Sequence, residues 1–268
     1  GQFDQIENAM NRYLVSYPNA TDILFGLGGI QYKSNRIKEA QKTIKLILEL
    51  NPNHKDANIM FNKIEIVLFD LGGVLVELTG VPTMLEWTND KYDEGKLWEL
   101  WLNSPAVRSF ETGCSTAEQF ADDIIKEMDL PVGQTEFINV FSRWPKGLFP
   151  GVSELIEKLR KHFTLACFSN SNELHWPRLM TEMGLDNMFD FHFASHLMGK
   201  LKPDLESFEY VLQNLDRKAS SVLFLDDNEI NVRSARKAGI EAYRVRGTNE
   251  IKQVFKDENI FDSNEIEN

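Results

Sequence analysis

Cysteine is scarce in this chain, basic side chains are outnumbered, and no long hydrophobic run occurs. The only two cysteines among 268 residues, Cys114 and Cys167, fit no metal-ligand spacing and cannot form a disulfide framework. Cys167 lies inside the apolar run 163–168 and reads as a small core residue. Such sparse cysteine suits a reducing cytoplasm, the expected compartment. Lys and Arg number 29 against 41 Asp and Glu, giving a net charge of −12. That balance repels nucleic acid and anionic membrane surfaces, so neither is an expected partner. It leaves room for a small phosphorylated substrate, because a local cluster of lysine, backbone N–H groups and metal outweighs a distant negative surface. No apolar stretch approaches the roughly 20 residues a bilayer span requires. No charged-then-apolar signal segment opens the chain. The first residue is Gly, not Met, which reads as a trimmed or processed start and leaves a lost targeting segment open.

A hydrophobic fraction of 42% is enough to bury a proper core without staples. Up to residue 63 apolar positions recur at helical spacing, at Ile6, Met10, Tyr13 and Leu14, then Ile23, Leu24 and Leu27, then Ile37, Ala40, Ile44, Ile47 and Leu48. Pro18 and Pro52 end two helical stretches about 34 residues apart. Leu27-Gly28 and Ala40 supply the small and apolar positions at which two helices touch. This segment (1–63) resembles the tetratricopeptide repeat, with one full repeat at about 21–54 flanked by helices at about 3–17 and 55–63. It departs from that pattern at Leu24, which replaces a Trp, and at Gln31. A generic helical hairpin is the alternative. About three repeats are needed for independent stability, so the expectation is that further repeats precede residue 1 and that the last helix packs on the next domain. A protein partner for the repeats is a corollary.

From Ile64 onward strands alternate with helices. Apolar runs at 64–69, 163–168, 191–194, 221–225 and 242–245 read as strands, with helices over 152–160 and 230–238. The fold class is therefore α/β, with a Rossmann-like parallel sheet. In such sheets ligands bind beyond the carboxyl ends of the strands. Three of these runs end in polar residues at that edge: Asp70, Ser169-Asn170 and Asp226-Asp227. Taken singly, each is an ordinary turn or helix start.

Taken together, Leu68-Phe-Asp70-Leu-Gly72-Gly-Val-Leu75, Phe168-Ser169-Asn170, Gly199-Lys-Leu-Lys202-Pro203 and Leu225-Asp226-Asp227-Asn228-Glu-Ile-Asn231-Val232 resemble the four loops of the haloacid dehalogenase superfamily. The likeness covers roughly 64–256. It implies a phosphatase in which Asp70 is nucleophile and metal ligand. The Gly72 carbonyl and Asp227 are further magnesium ligands, and Asp226 and Asn231 are ligands or orienters of ligands. Ser169 and the Asn170 backbone N–H bind phosphate, the latter at a helix start. Lys202 neutralises charge on Asp70 and on the transferring group. The physics suits this, since a carboxylate can take up a phosphoryl group and divide one hard step into two. Magnesium favours hard oxygen ligands and commonly bridges carboxylate and phosphate.

The resemblance also places a helical C1-type cap at 81–148, inserted in a core of 64–80 and 149–268. The cap segment carries Trp87, Trp98, Trp101 and Trp144, most of them expected in its core. Ser115 is its expected helix cap, with Glu118 completing a capping box. The stretch Phe110-Glu111-Thr112-Gly113 resembles the one by which capped members reach toward the site, or is a simple helix-ending turn. His175 and Trp176 follow the second loop and are candidates for substrate contact, with a structural role the simpler reading. One departure stands out. The superfamily's phosphatases carry a second Asp two residues after the nucleophile as general acid and base, and here that position is Gly72. Such a loss typically costs about 10²–10⁴-fold. The Asp-Leu-Gly-Gly start resembles a bacterial subgroup that includes sugar-1-phosphate phosphatases, which also lack that Asp. A sugar phosphate is thus one expected substrate. Two further readings stay open: a phosphate-binding pseudoenzyme or scaffold built on the repeats, and a metal-free 2-haloacid dehalogenase, against which the paired acids 226–227 argue.

Overall fold

The computed structural model describes residues 2–34, 36–54, 56–57, 64–89, 91–258 and 260. The chain divides into two compact units, 1–63 and 64–268. In the first, helices α1 (Gln2–Ser16), α2 (Thr21–Lys33) and α3 (Ile37–Leu50) follow one another. Leu24, Leu27 and Ile30 of α2 are buried with Ala40, Ile44 and Ile47 of α3. Gly28 allows the close approach, since a Cβ there would stand 3.0 Å from the Ile44 Cδ1. Gln31 is buried and accepts a hydrogen bond from the Thr43 hydroxyl at 2.8 Å, which explains how a polar side chain is tolerated in this interface. The helix expected at 55–63 lies almost wholly outside the described residues.

The second unit is built on a five-stranded parallel sheet of β1 (Ile66–Phe69), β4 (Thr164–Ser169), β5 (Phe191–Ala194), β6 (Val222–Asp226) and β7 (Glu241–Arg244), in the order β5-β4-β1-β6-β7. Alternation along the strands divides their side chains between two faces. Val67, Phe69, Leu165, Cys167, Leu223 and Leu225 pack on one side, and Ile66, Leu68, Ala166, Phe168, Val222 and Phe224 on the other. A sheet covered on both faces needs apolar residues at every position, which is why β1 and β6 read as continuous apolar runs. Val152, Leu155, Ile156 and Leu159, spaced 3.6 residues per turn along Val152–Leu159, cover the first face. Cys167 is fully buried among them, and burial pushes its thiol up to about 12, so it is an inert core group.

Two short strands that the sequence reading does not contain, β2 (Val76–Leu78) and β3 (Pro145–Leu148), pair antiparallel. Between them run α4 (Gly80–Trp87), α5 (Glu94–Asn103), α6 (Pro105–Glu111), α7 (Ala117–Met128) and α8 (Gln134–Phe141). The helical stretch therefore ends before 148, where the chain is already extended. It has its own core, in which Phe120 meets Trp101, Phe110, Phe137 and Phe141 at ring-centroid distances of 6.1, 4.5, 5.7 and 5.2 Å. The cap of α7 is one residue later than the pattern suggests. Thr116, not Ser115, accepts from Gln119 N at 3.3 Å, and Gln119, not Glu118, returns the bond to Thr116 N at 3.1 Å. Either register offers a hydroxyl followed three residues on by a side-chain acceptor, and packing of Phe120 and Ala121 into the core selects the second. Among the described residues no helix is long and apolar enough to cross a membrane.

Phe120→Ala is expected to cost about 3–5 kcal/mol, because it opens a cavity in an aromatic cluster. Chemical denaturation reads this as a lowered midpoint at unchanged slope; an unchanged midpoint contradicts this packing.

Candidate active site

Asp70, Ser169 and Asp226 stand at neighbouring strand ends because β1 is central. Its Phe69 is in register with Cys167 and Leu225, and Asp70 N donates to the Leu225 carbonyl at 2.8 Å. Into this edge comes Lys202 from the loop after Ser195–Met198. Its Nζ donates to Asp70 Oδ1 at 2.8 Å, Asp226 Oδ2 at 2.6 Å and the Phe168 carbonyl at 2.9 Å, using all three ammonium hydrogens. The rings of Phe168 and Phe224 lie 5.1 and 5.3 Å from the charge. Burial works to lower the Lys202 pKa, but Asp226 and Asp70 override it and hold the ammonium protonated above its usual range.

The loop is fixed by its backbone. Asn170 Oδ1 accepts from Lys202 N at 2.9 Å and Asn170 Nδ2 donates to the Lys202 carbonyl at 2.8 Å. The Ser234 hydroxyl donates to the Pro203 carbonyl. Asn170 was expected to offer its backbone N–H at a helix start. Instead residues 170–172 are irregular and the first helical residue is Trp176, because Asn172 caps the intervening turn by accepting from Leu174 N (3.1 Å) and His175 N (3.0 Å). Ser169 is buried, with its hydroxyl 3.4 Å from the Asn170 carbonyl, and it lines the same cavity as Asp70.

Asp226 is fully buried and saturated. Its Oδ1 accepts from Asn228 N (2.8 Å) and Asn231 Nδ2 (3.1 Å), its Oδ2 from Lys202 and Asn231 Nδ2 (3.1 Å). Asp70 is different. Among the described residues, its second oxygen and the Asp227 carboxylate accept no hydrogen bond. Burial pushes Asp70 up to about 7, with Asp226 and Asp227 adding to the rise against the pull of Lys202. Burial and Asp226 push Asp227 up to about 6, opposed by Lys202, Arg246 and Arg244. Three carboxylates have oxygens within 4.8 Å of one another, and the one ammonium among them is paired with Asp70 and Asp226 only. Hard oxygen donors with negative charge to spare fit a divalent cation of the magnesium type. Gly73 makes room for this group: its φ is +76°, and a Cβ would stand 2.1 Å from Asp227 Oδ2.

Asp70, Asp227, Lys202, Ser169 and Asn231 floor a cavity of about 180 Å³. Its opposite wall, from the helical segment and its stem, carries Leu78, Trp98, Trp101, Leu102, Phe141 and Trp144, and Glu111 at the end of α6 also faces it. Burial pushes Glu111 up to about 7; Lys202 lowers it and Asp70 raises it further. The turn that follows is seated on the sheet unit: Gly113 has φ +72°, and a Cβ there would be 2.6 Å from the His196 carbonyl oxygen. The stretch 110–113, singled out in the sequence by resemblance, thus does bring Glu111 to the cavity. At Gly72 a Cβ would stand 2.9 Å from Leu78 Cδ1, so an apolar side chain occupies the space beside the position that lacks a carboxylate.

His175 lines the cavity, yet both ring nitrogens are engaged, Nε2 with the Phe141 carbonyl at 2.7 Å and Nδ1 with Asn172 at 3.3 Å. Burial pushes its pKa down to about 4, so it is a neutral strut between the two parts of this unit. Trp176 is packed against the sheet core instead of lining the cavity.

Residues 64–239 match the family of haloacid dehalogenase-like hydrolases, and the chain belongs to that family. A phosphatase of Mycobacterium tuberculosis is 24% identical over 189 residues, 65% of this chain and 87% of the relative. A sesquiterpene phosphatase of Aspergillus oryzae is 30% identical over 180 residues, 65% of this chain and 85% of its own. The same fold is found in a haloacid dehalogenase family enzyme of Bacteroides thetaiotaomicron, solved in complex with magnesium and inorganic phosphate, with a TM-score of 0.60, 23% identity and coverage of 72% of this chain and 99% of that one.

The folded-state pKa values of Asp70, Glu111 and Asp227 are all raised. Each therefore contributes stability that is full below the ordinary carboxylate range and is lost as pH climbs through about 6 to 7. In chelator, the melting temperature is expected to fall between pH 5 and pH 8. A rise over that window would refute the crowding of acids described above.

Proposed function

We propose that the chain is a magnesium-dependent phosphatase that hydrolyses a small phosphomonoester through an aspartyl phosphate on Asp70. The observation that carries this reading is the Lys202 ammonium, held at 2.8 Å from Asp70 beside the acids Asp226 and Asp227. Phosphatase names among the relatives, and the neighbour solved with magnesium and phosphate, support it. Asp70, Asp227 and the Gly72 carbonyl would hold the cation, with Asp226 and Asn231 orienting them. Bound there, magnesium would offset the repulsion between carboxylate and phosphate oxygens.

An Asp70 oxygen attacks phosphorus and forms the acyl phosphate as the bond to the leaving alcohol breaks. Ser169 and the loop at Asn170 bind the phosphoryl oxygens, and Lys202 neutralises charge as it develops. Water then attacks phosphorus, the Asp70 oxygen leaves as carboxylate, and phosphate departs. Gly72 can supply no proton to the first step. Glu111, pushed up to about 7 by burial and facing the cavity, is available in both forms near neutrality, to give a proton to the leaving oxygen and to take one back from water. The helical segment serves as a cap over a small substrate. The helical first unit would be the place for a protein partner, and the cytoplasm the place of action.

Asp70→Asn is expected to abolish phosphate release, and chelation to do the same until magnesium is restored. Equal turnover by parent and variant removes Asp70 from the chemistry, and halide release from a 2-haloacid that survives chelation supports metal-free dehalogenation. Phosphate binding without turnover supports a scaffold. Glu111→Gln should lower turnover of an alkyl phosphate by about 10²–10³-fold, yet affect p-nitrophenyl phosphate much less, because a good leaving group needs no proton. Equal losses on both substrates would mean that Glu111 only positions.

A further inference from the structure

The wall facing Asp70 has a chemistry of its own. All the polar side chains lining the cavity except Glu111 and the indoles of Trp98, Trp101 and Trp144 belong to the sheet edge or to the strand-end loops and helix starts beside it. The far side is formed by Leu78, Trp98, Trp101, Leu102, Phe141 and Trp144, and it continues into a second, smaller apolar recess lined by Val81, Met84 and Leu97 together with Leu78, Trp98, Trp101 and Trp144. Helix α5 shows that this surface exceeds what folding needs. Leu97 and Trp101, one turn apart, are 4% and 8% exposed and fill the segment's core. Trp98 and Leu102, the next pair one turn apart, are 39% and 49% exposed and turn to the cavity. Leu78, at 45%, stands with them beside Gly72. Large apolar side chains left open around one polar hole mark a ligand surface.

From this, and resting on the phosphatase reading, we propose that the substrate is the phosphate monoester of an apolar alcohol, with a hydrocarbon body lying against Trp98, Leu102, Trp101, Trp144 and Leu78. A sugar body carries hydroxyl groups, each a donor and an acceptor, that this wall cannot satisfy. Among the side chains described on this wall, the polar groups are the indole nitrogens and the Glu111 carboxyl. The indole Nε1 of Trp144, which has no partner among the described residues, is a donor alone. Enclosing unpaired hydroxyls weakens binding, whereas each methylene withdrawn from water strengthens it. The preference thus runs opposite to the sugar-1-phosphate expected from the sequence.

The test uses the full chain with magnesium and a homologous series, methyl, butyl and octyl phosphate, with glucose 1-phosphate and glucose 6-phosphate beside them. Burial of a methylene is worth up to about fourfold, so kcat/KM should rise at least about tenfold from methyl to octyl, and octyl phosphate should exceed both sugar phosphates. Trp98→Ala should shrink the octyl-to-methyl ratio. A ratio near one, or faster hydrolysis of either sugar phosphate, overturns the proposal. Binding is read separately by quenching of tryptophan fluorescence with octylphosphonate and methylphosphonate, which cannot turn over. If no ester is hydrolysed, the phosphatase reading fails by itself. Tighter binding of octylphosphonate by tenfold or more then still sustains the apolar site, and equal binding of the two removes it.

Discussion

A lysine ammonium buried beneath two carboxylates sets the terms for the rest of this molecule. Removing one partner from such a buried group leaves an uncompensated charge, a loss of about 3–5 kcal/mol. Lys202 must therefore arrive with its hydrogens already matched, and several otherwise unrelated features follow from that need. The Phe168 carbonyl accepts the third hydrogen, and two phenylalanine rings face the charge. Asn170 holds the lysine backbone by both its polar groups, so the second loop sets the reach of the third. Asn231 and the Asn228 N–H complete Asp226 and leave it no spare lone pair.

That saturation divides the acids. Asp226 serves the lysine, while Asp70 and Asp227 remain under-compensated and crowded. The asymmetry makes the site receptive to a cation and an oxyanion together. Where Asp227 comes against the turn, only glycine at 73 avoids a collision. The chain's strong negative charge does not obstruct this, since the relevant field is set within a few ångströms.

The sheet was legible because its strands are buried on both faces and so read as short apolar runs with polar ends. Strand bounds moved by a residue or two; β4, for example, runs Thr164–Ser169. The four loops were legible through their joint order. The geometry of Asn170 was not, because a Ser-Asn pair after a strand signals a cap, and the cap is Asn172 two residues on. The β2–β3 pair was hidden for another reason: its partners lie some 70 residues apart, and Pro145 and Gly147 carry no strand signal. The stretch holding Glu111 was legible as one that reaches toward the site or as a simple helix-ending turn, and tertiary packing, which brings Glu111 to the cavity that Asp70 lines, selects the first. The opposite holds for His175, whose ring is consumed by the Phe141 carbonyl.

The β2–β3 ribbon has a mechanical meaning. Entry to and exit from the helical segment are bonded side by side, so the segment leaves and rejoins the sheet unit through one ribbon. Among the described residues, the polar ties between the segment and the sheet unit outside the ribbon are Arg108 with Asp204, Ala117 N with Glu173, and the His175 ring with the Phe141 carbonyl. An exposed ion pair such as the first is worth at most about 1 kcal/mol. The first of these ties, at Asp204, sits one residue beyond Pro203, on the same loop that delivers the lysine.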